Sequence, residues 1–224
     1  MNKGVWMGKQ AEKYGILVLG ESHYGDRPED LGKLGTDDTS GVVEWYLKGN
    51  GGHWRSFFIR IAESFGYSDD LRRDFYDKVY FGNYVDRLCG KSGDNTAAKI
   101  IACYRQEYND QLFTYINEHE IRYLVCFSKR VCQNLPDPEK TERASGETSK
   151  RYPAGKIKNG DKWQYNWIEM RTYRHSMEHP FTKVILKNDL TVYGIRHPSC
   201  QGGYVVSQVY DFLKLQDGID CIMR

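Results

Sequence analysis

The stretch ILVLGESHYGD, residues 16–26, decides the fold. Four apolar residues between Gly15 and Gly20 run abruptly into Glu21, Ser22, His23 and Tyr24, and a further glycine closes the turn. A short apolar run bounded by glycines reads as a strand buried on both faces, as in a parallel sheet. The polar residues that follow stand at the carboxyl end of that strand, where open α/β sheets bind their ligands.

Three other segments resemble the first: KVYFGNYV (78–85), IRYLVCFS (121–128) and LTVYGIRHPS (190–199). Between the second and third, Ala97, Ile100, Ile101, Tyr104, Leu112, Phe113 and Ile116 recur near the helical spacing, which predicts a helix from Thr96 to His119. Val42 to Tyr46 and Trp54 to Phe65 predict one or two amphipathic helices, and Tyr204 to Leu215 a last one. Strands alternating with helices predict a three-layer α/β/α domain around a central, mainly parallel four-stranded sheet. Three strand ends then carry polar groups to one edge: Glu21 to Tyr24, Asn83 with Tyr84, and His197 with Ser199.

The 224 residues, 40% of them hydrophobic, suit one domain with a sizeable core. A net charge of +2 is too small to define a nucleic-acid binder, so basic surface must come from local clustering. It does cluster. From Lys140 to Lys183 there are ten Lys or Arg against five Asp or Glu, and outside that span 22 against 25. The span falls within residues 137–183, which lack clear periodicity and read as a basic, aromatic insertion. Inside it, Asn159-Gly160 followed by Trp163, Tyr165 and Trp167 predicts a β-hairpin. Lys156, Lys158, Lys162 and Trp163 are its candidate nucleic-acid contacts, the cations for phosphates and the indole for stacking. A solvated hairpin packed on the main domain is the competing reading.

Six cysteines without a C-x-x-C pair suit reduced thiols and a cytoplasmic setting. The N-terminal residues lack the apolar core of a signal peptide, and no apolar run has the length of a membrane span. His175 and His179 lie four apart without the H-E-x-x-H arrangement, so neither a metal nor another cofactor is expected.

Gly20-Glu21-Ser22-His23-Tyr24-Gly25 after the first strand, Asn83 at the end of the second and His197-Pro198-Ser199 after the last resemble the motifs of the uracil-DNA glycosylase superfamily, in order and spacing over roughly residues 14–215. The resemblance implies a single domain over residues 1–224 that binds DNA and hydrolyses the N-glycosidic bond of uracil or another damaged base. It implies that Asn83 reads the base edge, that His197 donates to a base carbonyl as charge develops, and that the first motif, through Glu21 and Ser22, orients water. Gly20, His23, Tyr24, Tyr84 and Ser199 would line the site. The best-known members carry Asp or Asn where this chain has Ser22. The scattered cysteines do not suit the four-cysteine iron–sulfur cluster of some branches, and none is expected.

Two other classes remain open. One is a nucleic-acid-binding module of the same fold without catalysis. The other is an SGNH-like esterase with Ser22 as nucleophile, His197 as base and Asn83 as oxyanion donor, although Gly194 stands where such enzymes usually place an acid. A hydrogen bond between Ser22 and His197 would favour the esterase.

Overall fold

The computed structural model describes residues 4–24, 38–50, 55–89, 95–143, 157–159, 162–164, 167–199 and 204–224. It is a mixed α/β fold. Its main sheet contains β1 (Trp6–Met7), β2 (Ile16–His23), β3 (Tyr80–Leu88), β4 (Tyr123–Cys126), β5 (Lys140–Arg143), β8 (Ile168–Tyr173) and β9 (Leu190–Ile195), in the order β1-β3-β2-β4-β9-β8-β5. The inner pairs β3–β2, β2–β4 and β4–β9 are parallel, and β1, β8 and β5 join antiparallel. A separate hairpin consists of β6 (Ile157–Asn159) and β7 (Lys162–Gln164).

Strand β2 shows why the sheet is buried on both faces. Ile16 and Val18 enter one apolar cluster and Leu17 and Leu19 the other, as the two-residue strand period requires. The first cluster is covered by α2 (Asp38–Leu47), α3 (Arg55–Glu63), α4 (Arg72–Tyr76) and α7 (Val206–Leu213), through Val43, Phe58, Ile61, Phe75 and Phe212. The second is covered by α1 (Ala11–Tyr14), α5 (Thr96–Glu118) and α6 (Lys129–Asn134), through Ala11, Ile101, Leu112 and Val131. Each fully buried aliphatic side chain contributes roughly 1.5–3 kcal/mol. These clusters fix β2 in the sheet and therefore fix where Glu21 and Ser22 stand.

Helix α5 departs from helical geometry at Tyr104 (φ −120°, ψ 23°). Next to it, Arg105 donates from Nε to Asn134 O at 2.8 Å and from Nη2 to Leu135 O at 2.9 Å. The cation thereby meets the exposed carbonyls at the end of α6, where the helix dipole favours it.

Two expectations need correction. The sheet has seven strands, not four: the four strands read from apolar runs form its parallel centre, and β1, β8 and β5 extend it. Residues 137–183 are not wholly an insertion, because β5 and β8 belong to the main sheet. Strand β8 escaped notice because its alternate residues Glu169 and Arg171 are charged yet buried, paired with each other at 2.6 Å. The expected hairpin forms, with Asn159 paired to Lys162. Lys156 and the side chains of Lys158, Lys162 and Trp163 lie outside the described residues.

Candidate functional site

Gly20 pairs with Asn83 across β2 and β3, and the register of the two strands shifts between Ser22 and His23. The extra residues of that irregularity, Asp86 and Arg87, lie on β3, and His23 meets the α2 side. Its Nε2 lies 2.5 Å from Thr39 Oγ1 and accepts from Asn83 Nδ2 at 3.1 Å. Asn83 Nδ2 is also 3.4 Å from the Thr39 hydroxyl. With the amide N–H groups engaged there, Asn83 Oδ1 sits over Gly20, where it has no donor among the described residues.

Gly20 is required by this contact, since a Cβ at that position would overlap Asn83 Oδ1 and lie 3.6 Å from Phe57 Cζ. Gly20→Ala is expected to lower stability by about 1–3 kcal/mol, the usual cost of overpacking, and to push the Asn83 amide off His23. Urea unfolding with an unchanged midpoint would contradict this packing.

His197 stacks on Phe57 of α3, with ring centroids 4.9 Å apart and planes inclined by 23°. The backbone N–H of Ser199 donates to His197 Nδ1 at 3.1 Å, which leaves the proton of the neutral ring on Nε2. Arg60, one helical turn after Phe57, donates to Pro198 O at 2.5 Å and ties the His-Pro-Ser turn to α3. Burial lowers the pKa of His197 below 6.5, opposed by the charge of Glu21 and reinforced by that of Arg130. The imidazole is therefore a neutral donor at pH 7, with no hydrogen-bond partner for Nε2 among the described residues.

Glu21 has different surroundings. Its carboxylate accepts from Arg130 Nη1 at 2.7 Å and Tyr24 Oη at 2.9 Å on Oε1, and from Ser128 Oγ at 2.6 Å on Oε2. Ser128 also caps α6, accepting from Val131 N at 3.2 Å. Burial, above all, raises the Tyr24 phenol to about 12, with Ser22 lowering it and Glu21 raising it, so the phenol remains a donor. Glu21 thus belongs to the α6 side of the sheet.

Ser22 is the next residue along β2, where the pairing with β3 becomes irregular. Its Oγ is buried and makes no hydrogen bond of good geometry, although the Tyr24 hydroxyl is near enough to feel it. The Glu21 carboxylate is committed to three donors, and the Ser22 hydroxyl stands beside one of them, the Tyr24 phenol.

Tyr84 is also corrected. It points into the second core cluster, where its hydroxyl donates to Asn109 Oδ1 of α5 at 2.9 Å, so it anchors a helix and does not line the site. Ser199 contributes its backbone N–H, not its hydroxyl, to the arrangement seen. His175 is paired with Asp189 at 2.5 Å, and His179 is within 3.3 Å of both Asp137 O and Arg174 O. Among the described residues, no group of three or more His, Cys, Asp or Glu side chains could hold a metal ion, and no helix is long and apolar enough to cross a membrane.

Sequence reasoning missed Thr39, Phe57, Ser128 and Arg130. Ser128 was detectable, as a serine between an apolar strand and a helix is a capping signal. The other three are ordinary helix residues in sequence and acquire meaning only from the contacts described. A cleft lined by Gln10, Tyr67, Asp77 and Lys78 lies away from these residues, and its Lys78 is tied to Tyr67 at 2.6 Å. No protein-family model matches the chain, and no curated protein matches it.

Proposed function

We propose that the carboxyl edge of the sheet binds a nucleobase through a paired N–H and carbonyl, in the manner of a uracil-DNA glycosylase, and hydrolyses its bond to the sugar in DNA. One observation carries this reading: Asn83 Oδ1 offers an acceptor and His197 Nε2–H a neutral donor, both beside the Phe57 ring. An acceptor and a donor held against an aromatic face complement the edge of a lactam base such as uracil or hypoxanthine. The unpartnered Ser22 hydroxyl, two residues beyond the Gly20 that underlies Asn83, is the group that would hold the attacking water in this reading. Water adds to C1′ of the sugar, the glycosidic electron pair leaves with the base, His197 stabilises the negative charge that collects on the base oxygen, and the proton lost by the water neutralises the departed base anion.

Binding requires motion. At 4.9 Å, the gap between Phe57 and His197 is that of two rings in direct contact, so a flat base enters only when α3 yields. A second reading, base recognition without cleavage, is favoured by the three donors that occupy Glu21. The esterase reading lacks its key contact. Ser22 makes no hydrogen bond to His197, and the ring presents a proton, not a lone pair, on Nε2.

The experiment is alkaline strand cleavage of oligonucleotides carrying uracil, hypoxanthine or xanthine. The expected result is cleavage by the wild type and none by an Asn83→Ala, His197→Ala protein. Tight binding of the modified oligonucleotide without cleavage would move the chain to the second reading. Neither binding nor cleavage would defeat both.

A further inference from the structure

The guanidinium of Arg87, near the end of β3, is held by aromatic faces instead of by a carboxylate. Its Cζ lies 5.4 Å from the ring centroid of Tyr104 and 5.9 Å from that of Tyr108. Among the described residues its side chain makes no hydrogen bond or ion pair, whereas Arg55, Arg72, Arg130, Arg171, Arg174 and Arg224 each meet a carboxylate. Arg87 Nε and Tyr108 Oη are both buried without a hydrogen-bond partner among those residues. Unmet buried donors are costly, and Arg55 and Arg72, whose Nε atoms are also unmet, have carboxylates on their other nitrogens where Arg87 has none among the described residues, which points to an external acceptor at Arg87. Tyr108 is 1% exposed, and burial raises its phenol to about 12 against the opposing charge of Arg87, so its hydroxyl keeps its proton.

The chemistry of the missing acceptor follows from the way the cation is held. Aromatic faces attract a guanidinium through the ring quadrupole and leave its in-plane N–H fork unused. A tetrahedral oxyanion such as phosphate fits that fork with two oxygens at once. Tyr104 is 45% exposed and stands where α5 departs from helical geometry, so the partly exposed Arg87 has solvent-facing aromatic surface beside it. Arg87 is also four residues beyond Asn83 on the same strand. At a rise of about 3.3 Å per residue the two are at most about 13 Å apart along β3, whose pairing is irregular between Val85 and Leu88, close enough for a strand whose base is at Asn83 to lay a backbone phosphate on Arg87.

We propose that Arg87, seated on Tyr104 and Tyr108, binds a backbone phosphate of the nucleic-acid strand whose base enters the Asn83–His197 site, an inference that rests on the nucleobase reading of that site. The basic hairpin is not needed for this contact.

The test is fluorescence anisotropy with a labelled single-stranded oligonucleotide of undamaged bases, titrated at several salt concentrations with wild type, Arg87→Gln, Arg87→Lys and, as an equal loss of charge at an exposed ion pair, Arg174→Gln. Loss of one phosphate contact flattens the slope of log K against log salt by about 0.7 for single strands. Arg87→Gln is expected to show that flattening, Arg174→Gln the wild-type slope, and Arg87→Lys the wild-type slope with weaker binding because the charge stays and the fork is lost. Circular dichroism establishes that each variant is folded, and Arg87→Lys remains decisive if Arg87→Gln is not. Parallel slopes for wild type and Arg87→Gln, wild-type affinity in a folded Arg87→Lys, or no binding of the oligonucleotide by wild type would overturn the proposal. Inorganic phosphate that displaces the oligonucleotide at equal molar concentration would assign the site to a free anion and overturn it as well. If uracil or hypoxanthine in the oligonucleotide adds neither affinity nor cleavage while the Arg87 effect persists, the base-site reading falls and the phosphate site stands.

Discussion

On the proposed glycosylase reading, His197→Ala is expected to slow base excision by roughly 10²–10³-fold, the usual loss when one preorganised donor to a developing oxyanion is removed. The effect should fall mainly on the chemical step under single-turnover conditions, because the donor strengthens its bond as charge appears on the base. The pH dependence adds an independent check. Burial holds the folded His197 pKa below its ordinary 6.5, so as pH falls through 6.5 the unfolded chain takes up a proton that the folded ring still refuses. The stability associated with the neutral ring is therefore present above pH 6.5 and is lost as pH drops toward the folded pKa. Once the ring is protonated, Nδ1–H confronts the Ser199 N–H that it previously accepted from, and the turn loses its hydrogen bond. NMR titration should show a His197 midpoint below 6.5 with the proton of the neutral form on Nε2. A proton on Nδ1, or an alanine variant with wild-type excision, would remove His197 from the mechanism.

Arg171→Met is expected to destabilise the fold by about 3–5 kcal/mol, because it leaves the Glu169 carboxylate buried without its cation. Glu169 is fully buried and bonded to Arg171 at 2.6 Å. Replacing both partners, as Glu169→Leu with Arg171→Met, should recover most of the loss, since an apolar pair of similar volume avoids the desolvation of two charges. Urea denaturation of the three proteins measures this directly. A single variant within 1 kcal/mol of wild type would show that the pair is not the anchor of β8 in the sheet.

How much of this was legible beforehand depended on where the side chains go. Strands β2, β3, β4 and β9 announced themselves because both faces are buried and their sequences are nearly continuous in apolar residues. β8 did not, because Glu169 and Arg171 neutralise each other inside the protein, and periodicity has no way to express a compensated pair. Its partner β5, LysThrGluArg, is four polar residues joined to the sheet by backbone pairing. At the site, the positions of Ser22, Asn83 and His197 were readable as strand ends, but their states were not. That Asn83 keeps its oxygen unengaged depends on His23 and Thr39, and Thr39 comes from a helix with no motif. That Glu21 is occupied depends on Arg130, 109 residues away. Such commitments are set by tertiary contact, which a single sequence leaves open.

The order of strands in the sheet has a consequence for biosynthesis. His197 reaches Phe57 only after β9 has docked on β4, and the bond from Arg60 to Pro198 spans 138 residues. During translation at about 5–20 residues per second, a nascent chain that has just exposed Gly20 waits roughly 10–35 s for the residues that complete its edge. Until then the β4 edge destined for β9 is open to any passing strand, so ribosome-associated protection should matter more to this protein than its modest length suggests.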